Sequence, residues 1–177
     1  MNTSAELLPG TLLVTLRRLE DARGSFVKTF AHSALSPAFR EFEMREEFYS
    51  TSAKDVIRGM HFQLPPHDHA KLVYCPVGAV LDVLLDLRAG PGYGALASTV
   101  LSAEVPSLLL IPRGVAHGFR SLEEGSLMVY KTSTEHERSH DVGIRWDSFG
   151  FDWGLATPIL SARDAAHPSF ASFTSPF

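Results

Sequence analysis

The chain of 177 residues is 45% hydrophobic and 20% charged, with a net charge of -4 at pH 7. That length fits one domain with a sizeable core, and the acidic balance excludes the basic face of a nucleic-acid binder. Eleven Pro and thirteen Gly are too many chain-benders for a helix bundle, and the single cysteine, Cys75, excludes an intrachain disulfide or a thiolate metal cluster.

Residues 1–10 have no basic start followed by an apolar run, so no signal peptide is expected there. The first strand is expected at 12–16, and a turn or two of helix at 33–39. Phe42, Met44, Glu46 and Phe48 then alternate with Glu43, Arg45 and Glu47, the pattern of a half-buried strand. Further strands are expected at 56–61, 71–75, 79–87, 95–102, 108–111 and 127–132. Pro76 to Gly78, Gly90-Pro91-Gly92, Pro112-Arg113-Gly114 and Glu124-Gly125 punctuate them as turns. A second short helix is expected at 162–166, and the Ser/Phe/Pro-rich tail at 168–177 should lie against the body or a partner. The longest apolar runs, 79–87 and 108–111, are far too short to span a membrane as helices. The expectation is a single cytoplasmic domain, residues 1–177, with no membrane partner. Strand-rich chains of this length protect their edges as a barrel or jelly roll, whose mouth holds the ligand.

A few polar residues interrupt strands that otherwise read as buried. Arg58 and His61 lie in Arg58-Gly59-Met60-His61-Phe62-Gln63, Lys71 opens Leu72-Val73-Tyr74-Cys75, and Tyr130 follows Leu127-Met128-Val129. His117 follows Pro112-Arg113-Gly114-Val115-Ala116. Ideal parity puts Arg58 and His61 on opposite faces, unless Gly59 introduces a bulge. Taken singly, each has an ordinary structural reading: a hydrogen-bonded histidine, a snorkelling lysine, a core tyrosine. Their joint pattern admits two kinds of chemistry. His67-Asp68-His69 with His117 resembles a cupin metal site, but residues 71–76 hold no carboxylate ligand, and Lys71 would repel a cation. The pair also follows Leu64-Pro65-Pro66, which reads as a loop. The other chemistry needs no metal or other cofactor. An imidazole base, a fixed ammonium and a phenol hydroxyl suffice to move a proton on carbon next to a ketone, the ammonium stabilising the enolate as it forms.

Further stretches make this second reading specific. They are Asp21-Ala22-Arg23-Gly24-Ser25-Phe26, Val56-Ile57-Arg58-Gly59-Met60-His61-Phe62-Gln63, Lys71-Leu72-Val73, Gly78 with Asp82-Val83, and Leu85-Asp86-Leu87-Arg88. Ile111 to Phe119, Tyr130-Lys131, Gly143-Ile144-Arg145-Trp146 and Leu160-Ser161-Ala162-Arg163-Asp164 complete the set. In this order and at these spacings the sequence resembles the dTDP-4-dehydrorhamnose 3,5-epimerases of nucleotide-sugar biosynthesis. The resemblance implies an all-β, cupin-like jelly-roll barrel with a few short helices. It also implies a metal-free epimerase of a nucleotide-diphosphate 4-keto-6-deoxyhexose, and a homodimer that exchanges N-terminal strands. Carried over to this chain, it implies His61 as base with Asp164 as its carboxylate partner, Lys71 as the enolate-stabilising cation, and Tyr130 as the acid on the far face. His117 would sit near the sugar, and Arg23 and Arg58 would hold the diphosphate, with Arg23 supplied by the neighbouring subunit. Phe26, Gln63, Glu46, Phe48 and Arg163 would line the rest of the substrate site.

The departures from the family pattern cluster on the nucleotide side. Glu46 and Phe48 stand where the family usually has Gln and Asn, and Glu135 and His136 follow Tyr130-Lys131 where it usually has tyrosines. A carboxylate accepts from an amino group, as cytosine and guanine offer, and cannot donate to a thymine carbonyl. A nucleotide other than dTDP is therefore one expectation. Inversion at C3, at C5 or at both stays open. So do a metal-dependent cupin enzyme built on His67, His69 and His117, a related ketoisomerase, and a sugar-binding cupin without catalysis.

Overall fold

Alternation of inward and outward side chains sorts the chain into two facing sheets. The computed structural model describes residues 4–30 and 42–177, and the helical turn expected at 33–39 lies outside them. The strands among the described residues are β1 (Ser4–Ala5), β2 (Leu12–Thr15), β3 (Arg18–Asp21), β4 (Gly24–Val27), β5 (Glu46–Ser52), β6 (Ile57–Gln63) and β7 (Lys71–Val77). They continue as β8 (Ala79–Asp86), β9 (Leu96–Ser102), β10 (Ser107–Ile111), β11 (Val115–Ser121), β12 (Ser126–Thr132) and β13 (Asp141–Gly143). Among the described residues, helix is confined to α1 (Ala162–Ala165) and a 3-10 turn at Phe170–Ser172. One sheet runs β1-β2-β10-β7-β12-β5, the other β13-β6-β11-β8-β9, and β3 with β4 forms a separate hairpin. Antiparallel pairing with strands interleaved from distant parts of the chain is the expected jelly roll. No helix among the described residues is long and apolar enough to cross a membrane.

The core is layered by strand parity. Between the sheets, Val73 and Cys75 of β7, Leu109 and Ile111 of β10 and Met128 and Tyr130 of β12 meet Val80 and Leu84 of β8 and Val115 and Phe119 of β11. Each fully buried aliphatic or aromatic side chain here stabilises the fold by about 1.5–3 kcal/mol. Parity puts the intervening residues on the outer faces. Val83, Leu85 and Ala116 pack with Met60, Ile144 and Trp153, and Leu72, Leu108 and Leu110 pack with Phe42 on the other side. The tail closes the first of these outer layers. Phe173 and Phe177 stand edge-on to Phe62 at 5.3 and 6.0 Å, and Ala89 N–H donates to the Phe177 carbonyl at 3.0 Å. The tail therefore lies on the body of its own chain.

Three local expectations are corrected. Strand β5 starts at Glu46, so Phe42 and Met44 lie before it, the first buried and the second exposed. The hairpin β3–β4 and strands β11 and β13 add to the strands expected from alternation. Arg58 and His61 also share a face. On β11, Phe119 pairs with Arg58 while His117 pairs with His61, so two steps on β11 face three on β6. The bulge falls at Gly59, where φ is +136° and a Cβ would stand 2.5 Å from Gly118 Cα. Only glycine accepts both that backbone conformation and that approach of β11. The extra residue turns Met60 outward into the Ile57–Phe62 layer and sends Arg58 and His61 inward together.

Candidate active site

At one end of the space between the sheets, apolar packing gives way to a cleft of about 220 Å³ lined by polar and aromatic groups. From β6, on the five-stranded wall, come Arg58, His61 and Gln63; from β11 come His117 and Phe119. The six-stranded wall supplies Glu46, Phe48 and Ser50 of β5, Lys71 of β7, and Tyr130 and Thr132 of β12. Asp141, Arg163, His69 and His136 close the rim.

On the five-stranded wall each histidine has a carboxylate. Helix α1 begins at Ser161, whose hydroxyl accepts from Asp164 N–H at 3.0 Å, a normal N-cap. The first turn thereby carries the Asp164 carboxylate to His61, with Oδ1 at 2.5 Å from Nε2. Burial alone would push Asp164 up. The hydrogen bond and charge of His61, with Ser161, outweigh it and hold the group below the usual carboxylate range. With Nε2–H donated to Asp164, the free lone pair of His61 is on Nδ1. His117 Nε2 lies 2.7 Å from Asp82 Oδ2, and both residues are buried. Asp82 is visible in the sequence only as part of a motif, and Asp141, Ser50 and Thr132 of the cleft are not marked there at all. The signal for Asp82 was a carboxylate in the inward register of the apolar strand β8, between Val80 and Leu84.

On the opposite wall the polar groups meet neutral partners. Lys71 shares the inward register of Val73 and Cys75, is 8% exposed, and donates from Nζ to the His61 carbonyl at 3.0 Å. The snorkelling alternative is thereby corrected: the lysine head is inside. Burial lowers its pKa to about 8, and Asp141 and Asp82 pull less strongly the other way. Tyr130 stacks on Phe48 with ring centroids 4.8 Å apart, and its hydroxyl is 3.3 Å from Ser50 Oγ. Burial raises the Tyr130 pKa well above that of a free phenol, so it carries its proton at neutral pH.

The rim is a network of charge pairs. Arg163 donates to Asp141 Oδ1 at 2.8 Å, and His136 Nε2 is 3.0 Å from Asp141 Oδ2. Glu46 Oε2 accepts from His136 N–H at 2.8 Å, so Glu46 presents a carboxylate to the cleft. Arg58 is tied to Ser52 Oγ at 3.0 Å and to the Thr51 carbonyl at 2.9 Å. Gln63 braces the rim loops through the His67 carbonyl at 2.7 Å and Glu137 N–H at 2.6 Å.

Two groups of expected site residues are not brought together. Arg23 and Phe26 lie on the exposed hairpin β3–β4, outside this cleft, and Arg23 pairs with its own Asp21 at 2.5 Å. The histidines of the metal alternative do not converge. His67 leans against His140 with ring centroids 4.5 Å apart and planes at 46°, His69 Nδ1 faces Gln63 Nε2 at 3.2 Å, and His117 is committed to Asp82. Burial, with Lys71 next in importance, lowers the His69 pKa to about 3, so this histidine is neutral.

A jelly roll with a histidine–carboxylate pair facing an ammonium and a phenol across one cleft defines a cupin-like isomerase of the proton-shuttling kind. The model of the family described as dTDP-4-dehydrorhamnose 3,5-epimerase matches residues 5–172. The enzyme of that name from Shigella flexneri is 36% identical over 168 residues, 93% of each chain. Among solved structures, the dTDP-4-dehydrorhamnose 3,5-epimerase of Sulfolobus tokodaii superposes with a TM-score of 0.91 at 30% identity, covering 98% of both chains. That of Bacillus anthracis, with TDP and PPi bound, gives 0.89 at 30% identity over 96% of this chain and 99% of its own. The chain belongs to the dTDP-4-dehydrorhamnose 3,5-epimerase family.

Proposed function

We propose that the chain epimerises a nucleotide-diphosphate 4-keto-6-deoxyhexose without a metal, by removing and returning protons on carbons beside the ketone. The observation that carries this reading is the meeting, in one cleft, of His61–Asp164 with Lys71 and Tyr130. Base and acid come from different sheets, which favours attack on one face of the sugar and return on the other. In this scheme His61 Nδ1 takes the proton, and Asp164 holds the ring and stabilises the imidazolium that results. Lys71 Nζ, charged below about pH 8, stabilises the oxyanion that forms at C4. Tyr130 then delivers its phenolic proton to the far face and is replenished from solvent. His117, held by Asp82, orients the sugar. A cleft of about 220 Å³ suits the hexose, leaving the diphosphate to Arg58 and the nucleoside to the rim, where Glu46, Phe48, Gln63 and Arg163 stand.

The functional unit in this reading is two single-domain chains. Arg23 and Phe26 are too far out on their hairpin to serve their own cleft, and Phe26 is 60% and Leu19 45% exposed. A hairpin that exposes Leu19 and Phe26 beside an arginine suits a partner's cleft, where Arg23 would meet the diphosphate. Strand β1 pairs with β2 of its own chain, so we assign the exchange to β3–β4. The nucleotide is either TDP, as the Bacillus anthracis relative holds, or a base with an amino group that Glu46 accepts from.

The test is solvent exchange. Incubation with dTDP-, CDP- or GDP-linked 4-keto-6-deoxyhexoses in deuterated water should place deuterium at C3, C5 or both, with inverted product. No exchange with any of the three would overturn the assignment. A thermal-shift comparison of dTDP, CDP, GDP and UDP ranks the bases, because binding to the folded state raises apparent stability.

A further inference from the structure

One histidine beside the His61–Asp164 pair has no part in the proton transfer. His167 follows α1, and its ring stands edge-on to His61 with centroids 5.6 Å apart. Its Nε2 is 3.5 Å from Asp164 Oδ1, beyond a good hydrogen bond, and is buried with no hydrogen-bond partner. The ring is seated directly on Gly143 of β13, where a Cβ would stand 2.5 Å from Nε2. A buried imidazole nitrogen without a partner is rare in a folded protein and points to something that meets it.

We propose that His61, Asp164 and His167 form a binding site for a transition-metal dication of the zinc type, and that occupying it switches the enzyme off. One donor atom from each residue lies within 4.8 Å of the other two. Two imidazoles and one carboxylate, with a fourth position left for water, are a ligand set that zinc accepts, at metal–ligand distances of about 2.0–2.2 Å. Tetrahedral geometry then needs donors about 3.3–3.6 Å apart. Asp164 Oδ1 and His167 Nε2 already stand at 3.5 Å, and His61 Nε2 must withdraw from its present 2.5 Å. The ion takes the place of the proton that His61 Nε2 shares with Asp164, and the ring keeps that proton by changing tautomer to Nδ1–H. Two cations stand near: Arg163, neutralised by Asp141 at 2.8 Å, and Lys71, whose Nζ is on the His61 carbonyl. They weaken binding, as suits an exchangeable inhibitor and not a structural ion. With Nε2 ligated the ring's one proton sits on Nδ1, so His61 has no lone pair left to act as a base. That last step rests on the proton-transfer reading above; the binding does not.

The test titrates the full chain, stripped with a chelator, with Co²⁺ and then competes with Zn²⁺. One Co²⁺ per chain is expected, with the visible bands of a four-coordinate site, displaced by Zn²⁺. His167→Ala should weaken binding by at least about tenfold, leave metal-free solvent exchange unchanged, and abolish its inhibition by Zn²⁺. His167→Gln repeats the test with the space over Gly143 filled, should the alanine variant misfold. Co²⁺ binding that is absent, or equally tight in wild type and both variants, would overturn the site; the latter result would put the ion on surface histidines such as His67, His136 and His140. Because Co²⁺ spectra need no substrate, they decide the site even if the chain fails to exchange any of the sugars tested.

Discussion

The two walls of the cleft hold their polar groups by different means. On the five-stranded wall, His61 and His117 are each matched to a carboxylate, at 2.5 and 2.7 Å. On the six-stranded wall, Lys71 and Tyr130 are met by a carbonyl and a serine hydroxyl, neither charged. Pairing orients a ring and fixes which nitrogen carries the proton. Burial without a charged partner instead shifts the group itself, towards a more acidic ammonium and a phenol that keeps its proton. One wall is built for geometry, the other for proton affinity.

Breaking the first wall should cost most. His61→Ala is expected to reduce solvent exchange by about 10²–10⁴-fold, read by deuterium incorporation under single-turnover conditions. The fold should remain, because His61 is part-exposed and makes no core contact of its own. Lys71→Met should reduce exchange by about 10²–10³-fold, yet raise the melting temperature by a few degrees, since it removes a buried ammonium from among Val73, Cys75 and Tyr130. A Lys71→Met variant that loses both activity and stability would mean that the ammonium is a structural partner. The pH dependence separates the walls next. Activity should fall as pH rises through about 8, where Lys71 loses its charge, and Lys71→Arg should move that limb upward. The stability effect has the opposite sign. Below about pH 8 the ammonium is charged in both the folded and unfolded chain, and its full burial cost applies. Between about 8 and the ordinary lysine value of 10.5 the folded chain loses the proton first, so stability should rise with pH. The smallest effect is expected at the rim, where Glu46→Gln should alter nucleotide preference in a thermal-shift ranking and leave kcat within about threefold, since uniform binding changes KM first.

Most of the second wall was legible in the sequence. Lys71, Val73 and Cys75 share one register, as do Glu46 and Phe48, and simple alternation turns them inward together. The first wall was less legible because its register is broken. A glycine at φ +136° facing Gly118 inserts one residue between Arg58 and His61, and no local pattern announces which way the bulge turns them. The hairpin β3–β4 escaped for another reason. Arg18–Asp21 is exposed on both faces, so it has no alternation to read. Asp82 was visible as a carboxylate in an apolar run, but its histidine lies on another strand. His167 carried no signal, since what makes room for it is Gly143, distant in sequence and next to it only in the folded chain.

Whether base and acid stand on opposite walls is read from Tyr130→Phe in deuterated water. Followed by NMR of the sugar, this variant should still wash deuterium into the position beside the ketone while inverted product falls away, and His61→Ala should do neither. Loss of both exchange and inversion in Tyr130→Phe, with exchange surviving in His61→Ala, would contradict that placement.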